Sequence, residues 1–300
     1  MEKEFKSGFA TIVGRTNVGK STLINLLVGE KVAAIANKVQ TTRTAIKGIV
    51  NRENSQIIIT DTPGIHKPKH KLNETMVETS FAMIPDCDVV LFLIEATSED
   101  IGKGDRIILD KIKESNRKTI LIINKIDLVK RETLLNLIDI YSKEYPFTAV
   151  IPISATQDKY RDIVLDEIEK NLKPGPAYYD IEEYTDQTLR QLAEETIREK
   201  ALKLLQDEVP HGIYVEVEKM QLRKNKNDED IYDIEATIYC LRDSHKGIII
   251  GKNGEMLKRI GAARIDMEQN FGIKINLKTW VKVKQDWLDN DSIVSKFKLK

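Results

Sequence analysis

The run Gly14-Arg15-Thr16-Asn17-Val18-Gly19-Lys20-Ser21 fits the GxxxxGKS phosphate-loop pattern and constrains the fold more than any other stretch of the chain. Apolar residues from Phe9 to Val13 precede it and an amphipathic segment from Thr22 to Leu27 follows, so the order reads strand, loop, helix. In that setting, backbone N–H groups at a helix start cradle a triphosphate.

Two further motifs end apolar runs where nucleotide contacts are expected. Asp61-Thr62-Pro63-Gly64 follows Gln56 to Ile59, and Asn124-Lys125-Ile126-Asp127 follows Thr119 to Ile123. A carboxylate at the end of a buried strand holds the water shell of a magnesium ion, and the N–H of Gly64 can donate to a terminal phosphate. Asp127 reads the base, because guanine offers two N–H donors to one carboxylate and adenine does not. A buried carboxylate left unmatched costs on the order of 1–3 kcal/mol, which rejects ATP. Ser154-Ala155, after Thr148 to Ile153, is expected to close the guanine pocket with a backbone N–H. The order and spacing resemble the translation-factor class of GTPases.

Between the phosphate loop and Asp61 lies the polar stretch Val39-Gln40-Thr41-Thr42-Arg43-Thr44, suited to a mobile switch that gives one threonine hydroxyl to the magnesium. Thr41, Thr42 and Thr44 carry the same chemistry, and resemblance selects Thr42. Ile65 stands where signalling GTPases carry a water-orienting glutamine, and an isoleucine makes no hydrogen bond through its side chain. Hydrolysis is therefore expected to be slow or to depend on another group. Asn17 resembles the asparagine with which some hydrophobic-substituted GTPases hold potassium, which could supply the charge an arginine finger gives elsewhere.

Composition narrows the class. The chain has 300 residues, 31% of them charged, with 47 basic against 47 acidic side chains, and two domains are the natural expectation. Cys87 and Cys240 both lie in apolar runs, so no disulfide framework or CxxC metal site is expected. His66 and His70 are four apart, but Pro68 lies between them, which favours loop surface over a zinc site. No secretory signal opens the chain, and no run approaches the ~18 apolar residues of a spanning helix. Any membrane contact is expected to be peripheral.

From Phe9 to about Leu172, strand and helix patterns alternate, with strands at Val89 to Ile94, Ile120 to Ile123 and Ala149 to Ile153. The fold class is α/β, a mostly parallel sheet with helices on both faces. The expected division is a G domain over 1–172, a Pro/Gly-rich linker over 173–185 and a second domain over 186–300 that ends in a tail. The second part reads as a helix from about Asp186 to Gln206, strands at Ile213 to Gln221 and Ile231 to Leu241, two helices, and a strand at Ile273 to Val283. Gly251-Lys252-Asn253-Gly254 is a GxxG loop between two helices. The α-β-β-α-α-β order resembles a type II KH domain, whose GxxG backbone lies against the phosphates of single-stranded nucleic acid. From Arg242 to Lys284, ten basic residues face four acidic ones, a local balance of +6 that steers phosphates.

With GRTNVGKS, QTTR, DTPGI, NKID and SA joined to a KH domain carrying GKNG, the whole chain resembles the bacterial Era family of GTPases. The resemblance implies a GTP-hydrolysing switch with GTP or GDP and magnesium as cofactors, potassium as a further candidate, and a role in 30S subunit assembly. It implies that the KH domain grips the 3′ end of 16S ribosomal RNA, not DNA, and that the protein is cytoplasmic with peripheral contact to the inner membrane face. Carried over residue by residue, Asn17 to Thr22 contact phosphates, with Lys20 on the β and γ oxygens. Ser21 and Thr42 hold magnesium directly and Asp61 through water, so Lys20, Thr42, Asp61 and Gly64 serve hydrolysis. Asn124, Lys125, Asp127 and Ala155 read guanine. Gly251, Lys252, Asn253 and Gly254 hold RNA, with Lys246 and Arg259 as neighbours. GTP is expected to order 38–43 and 64–72, and no coiled-coil pattern asks for more than a monomer. The alternative is an RNA-binding assembly protein whose nucleotide site is mainly structural.

Overall fold

The computed structural model describes residues 4–36, 41–65, 68 and 70–297. They form two compact units, one built on 4–33 and 42–186 and the other on 187–296.

The first unit is a sheet with helices packed on it. Its elements are β1 (Lys6–Val13), α1 (Lys20–Val28), β2 (Ile46–Arg52), β3 (Ser55–Asp61), α2 (Lys71–Ala82), β4 (Val89–Glu95), α3 (Lys103–Ser115), β5 (Lys118–Asn124), α4 (Arg131–Glu144), β6 (Ala149–Pro152), α5 (Arg161–Asn171) and the two-residue β7 (Lys173–Pro174). The strands run β2-β3-β1-β4-β5-β6 across the sheet. The pairs β3-β1, β1-β4, β4-β5 and β5-β6 are parallel. Strands buried on both faces read as continuous apolar runs, and Val89 to Ile94 and Ile120 to Ile123 are each fully covered. One cluster, with Ile12, Leu23 and Ile57, fills the α1 and α5 side; another, with Phe92, Ile108 and Tyr141, fills the α3 and α4 side.

Two features depart from the expected pattern. β2 pairs antiparallel with β3, from Ile46 against Asp61 to Arg52 against Ser55. The stretch expected as a linker over 173–185 is laid on the first unit: β7 pairs with β1, Tyr178 and Tyr179 both donate backbone N–H groups to Gln56 Oε1, and Ile49 donates its N–H to the carbonyl of Tyr184. Gln56 is almost fully buried under this strap. The prolines and glycine there mark irregular backbone, which is here satisfied by the sheet edge rather than by water.

The second unit contains α6 (Leu189–Leu204), β8 (Tyr214–Lys224), β9 (Asp230–Cys240), α7 (Asp243–Ile250), α8 (Glu255–Gly261), α9 (Ala263–Phe271), β10 (Lys274–Val283) and the short α10 (Asp291–Val294). Thr188 caps α6 through a capping box with Gln191. The sheet order is β10-β9-β8, with β8 antiparallel and β10 parallel to β9. The expected second helix is broken at Ala262 into α8 and α9. The expected tail is structural: Trp287 is fully buried and donates its indole N–H to the carbonyl of Gly212 at 3.0 Å.

Candidate nucleotide and RNA sites

The phosphate loop turns from β1 into α1 through two left-handed residues, Asn17 at φ 65° and Gly19 at φ 104°. A side chain on Gly19 would also meet Asn124 Nδ2 at 2.2 Å, so both space and backbone demand glycine. Lys20 is 6% exposed and its Nζ donates to the carbonyls of Gly14 and Arg15 at 3.2 and 2.8 Å. Burial lowers its pKa to about 8, against the opposing pull of the Asp61 carboxylate. Asn17 is exposed, while Thr16, Ser21 and Thr22 are half-buried around the loop and Val18 is buried beneath it.

Three oxygens converge beside Lys20. Ser21 Oγ lies 2.7 Å from Thr42 Oγ1, and both hydroxyls donate to Asp61 Oδ2, at 2.9 and 3.0 Å. Asp61 is fully buried at the end of β3, and among the described residues its Oδ1 has no hydrogen-bond partner. Burial raises its pKa, while Lys20 and the two hydroxyls pull it down. Such a carboxylate, with one oxygen unspent and two hydroxyls beside it, fits a hard divalent cation. Thr41, by contrast, donates its hydroxyl to the carbonyl of Ala36. Val39 and Gln40 of the switch stretch, and His66 beyond Ile65, lie outside the described residues.

The DTPG turn is fixed from both sides. Thr62 Oγ1 donates to the carbonyl of Ile12, and Ile65 N donates to that of Gly14 at 3.2 Å. A Cβ on Gly64 would press on Thr16 at 2.7 Å and approach Lys20 Nζ at 3.1 Å. Ile65 is 4% exposed and packs with Val13 and Ile94, so its side chain is core and not a ligand.

The base-reading motifs differ in detail from the sequence expectation. Ala155 N–H, expected to face guanine, donates to Asn124 Oδ1 at 2.9 Å. Asn124 is 3% exposed and donates in turn to the carbonyl of Val18 at 2.8 Å. It therefore ties the phosphate loop to the Ser154-Ala155 turn, with one of its two amide N–H donors engaged. Lys125 adopts φ 64° and pairs with Glu95 at 2.8 Å, a partner on β4 that no motif signalled. Asp127 is exposed and keeps its carboxylate unengaged among the described residues. Ser154 Oγ is 3.0 Å from Thr156 Oγ1.

In the second unit, Gly251 at φ 73°, Asn253 at φ 51° and Gly254 at φ 78° turn the chain between α7 and α8. A Cβ on Gly251 would strike Met256 at 2.7 Å, whereas nothing lies within 4 Å of one on Gly254. The first glycine permits close packing on α8, and the second leaves the backbone open to an approaching phosphate. Lys252 and Asn253 are exposed on the turn, and Lys246 is half-buried on α7. Arg259 borders a cavity of about 530 Å³ that Lys203, Leu205, Val209, Ile248 and Met256 also line. The local excess of charge is smaller than the sequence count, because Lys274 and Lys282 pair with Glu229 and Glu218 from outside the counted span. Lys246, Lys252, Lys258 and Arg259 make no ion pair among the described residues.

Such a loop, carboxylate and base-reading turn on a parallel sheet, followed by a GxxG turn in an α-β-β-α-α-β unit, define a P-loop GTPase fused to a KH domain. A family model described as 50S ribosome-binding GTPase matches residues 9–125, and a KH domain model matches 208–288. The chain belongs to the Era family of GTPases. GTPase Era of Thermoanaerobacter pseudethanolicus is 47% identical over 292 residues, 97% of this chain and 95% of that one. GTPase Era of Clostridioides difficile is 48% identical over 295 residues, 98% of each. Among solved structures, Era in complex with MgGDPNP and nucleotides 1506–1542 of 16S ribosomal RNA matches with TM-score 0.92 and 39% identity over 98% of each chain. An Aquifex aeolicus Era variant bound to GDP and aluminium fluoride matches with the same score and identity over 98% of this chain and 99% of that one.

Proposed function

We propose that this protein is a GTP-driven switch whose KH domain grips the single-stranded 3′ region of 16S ribosomal RNA during 30S subunit assembly. The observation that carries the reading is the meeting of Ser21 and Thr42 hydroxyls on Asp61 Oδ2 within 3.0 Å. Thr42 comes from a polar loop and is buried with its hydroxyl on the same carboxylate as Ser21, where a metal-bound triphosphate would draw it.

In this reading Gly14 to Thr22 cradle the phosphates, and Lys20 sets its ammonium on the β and γ oxygens. Ser21 and Thr42 hold magnesium directly and Asp61 holds it through water. The ion, when bound, offsets charge on the phosphate oxygens. Gly64 donates its N–H to the terminal phosphate, so that it senses GTP and not GDP. Asp127 reads guanine N1–H and N2–H beside Lys125 and Ala155, with Asn124 bracing the pocket. Because Ile65 is buried and apolar, no side chain at that position orients the attacking water, and hydrolysis is slow. Asn17, exposed in the loop, would hold a potassium ion, which would supply positive charge beside the phosphates.

On the RNA side, Gly251 to Gly254 lie along the backbone of about four nucleotides and Lys252 supplies charge. Lys246 and Arg259 extend the contact. The G domain carries the 173–185 strap on its sheet, and the KH domain begins near 186. The protein works in the cytoplasm, with peripheral contact to the membrane; among the described residues no helix is long and apolar enough to cross one. The likeness to an Era that holds MgGDPNP and 16S RNA supports the nucleotide, magnesium and RNA parts of the assignment.

The test is affinity for the 3′ single strand of 16S RNA, and for DNA of the same sequence, with GDP and with GDPNP at two salt concentrations. RNA preferred over DNA, and bound more tightly with GDPNP, is the expected result. Binding indifferent to nucleotide overturns the switch and leaves the KH domain a tether.

A further inference from the structure

Outside the groups given a role above, the most unusual buried cluster lies behind the phosphate loop. Asp105, in the first turn of α3, is 1% exposed, and Arg15 Nε approaches its Oδ2 at 3.2 Å. Among the described residues Arg15 Nε makes no aligned hydrogen bond to the carboxylate, and the buried Tyr141 hydroxyl of α4 lies beside it. The pairing is thus one of charge rather than of aligned donors. Burial raises the pKa of Asp105, and Arg15 and then Tyr141 draw it back down. A buried carboxylate is costly, and removing its one cation leaves it uncompensated.

The surroundings are shaped around the arginine. A Cβ on Gly102 would come within 3.2 Å of Arg15 Nη1, and one on Gly104 within 2.8 Å of Arg15 Cδ. The guanidinium therefore lies over a bare strip of backbone at the start of α3 and reaches Ser98 Oγ at 3.5 Å. The other end of the residue carries the site: the Arg15 carbonyl accepts from Lys20 Nζ at 2.8 Å, and Arg15 bridges to Ile65, the residue after Gly64.

We propose that Asp105 is a positioning residue for the GTP state: by holding Arg15 it fixes the strip of phosphate loop on which Gly64 and Ile65 seat. The inference rests on the reading that Gly64 contacts the terminal phosphate. GDP needs the loop but not that seat, so the two nucleotides respond differently.

The experiment measures GDP and GDPNP affinity, with magnesium, for the full chain and for Asp105→Asn, Gly104→Ala and Gly64→Ala. In Asp105→Asn, GDPNP binding is expected to weaken about tenfold while GDP binding changes by less than about twofold. Gly104→Ala pushes Arg15 aside without touching the carboxylate and gives the same selective loss; it decides the matter if Asp105→Asn does not fold. A merely structural role weakens both nucleotides by one factor, and that result, or no change in either, overturns the inference. Loss of GDPNP binding in Gly64→Ala with none in Asp105→Asn overturns the inference alone. Unchanged GDPNP binding in Gly64→Ala overturns it together with the reading beneath it.

Discussion

Asn124 donates its side-chain amide to the carbonyl of Val18 at 2.8 Å, joining residues 106 positions apart. Its Oδ1 accepts from Ala155 N–H at 2.9 Å, so one buried side chain ties three nucleotide motifs together. Replacing it by alanine leaves a buried carbonyl and a buried N–H without partners, at a cost on the order of 1–3 kcal/mol. Asn124→Ala is expected to lower the melting temperature by several degrees and to weaken GDP at least tenfold, roughly what such a cost implies. Calorimetry and nucleotide titration on the same sample check both.

Asp127 tests base recognition. Its carboxylate offers two acceptors, and an amide at that position offers one. Inosine diphosphate lacks the exocyclic amine of guanine, so the unmodified protein prefers GDP, and Asp127→Asn is expected to cut that preference on the order of tenfold. Competition of the two nucleotides against a fluorescent GDP measures it.

Lys20 makes nucleotide affinity depend on pH. Its pKa is lowered to about 8 by burial in the nucleotide-free protein, whereas a phosphate beside it favours the ammonium form. The bound state therefore carries more protons above that value, and GDP affinity falls as pH rises from about 8 to about 9, by at most about tenfold. The same linkage runs opposite for folding without nucleotide. The lysine binds protons in the unfolded chain up to its ordinary 10.5, so its contribution to stability rises with pH between about 8 and 10.5. Titration of GDP at pH 7, 8 and 9 checks the first sign, and melting curves against Lys20→Met check the second.

Much of the nucleotide site was legible because its parts stand at the ends of apolar runs, where doubly wound sheets present ligands. Asp61, Asn124 and Ser154 each fall there. The choice among Thr41, Thr42 and Thr44 was not legible from chemistry, since three identical hydroxyls differ only in where the loop carries them. Asn124 reads as a base contact in sequence; its bracing bonds were not legible there, because their partners come from residues 106 and 31 positions away. β2 was missed: Lys47, Gly48 and Asn51 interrupt its apolar run, and its pairing is decided by the neighbouring β3. Asp105 reads as one more charge on an amphipathic helix until Gly102 and Gly104 are seen to clear a path for Arg15.

Potassium is the next test. Asn17 stands exposed in the phosphate loop and Ile65 is sealed into the core, so hydrolysis has no side-chain donor or acceptor at that position. Single-turnover hydrolysis is expected to run faster in potassium than in sodium at equal ionic strength, and Asn17→Ala to remove the difference. Equal rates in the unmodified protein would sink the idea.

For the GxxG turn, Lys252→Ala is expected to weaken RNA binding without altering GDP affinity. The slope of log affinity against log salt should become shallower by roughly 0.7, the share of one phosphate on a single strand. A slope that does not change removes Lys252 from the phosphate contacts.

Trp287 gives the two halves of the protein different birthdays. The sheet of the first unit is complete once Lys173–Pro174 has joined β1, while the second unit lacks β10 and its indole plug against Gly212 until residue 287 has been added. Domains fold as units while the chain is being made. A nascent chain can thus complete the sheet that carries its nucleotide site more than a hundred residues before the second unit receives its plug.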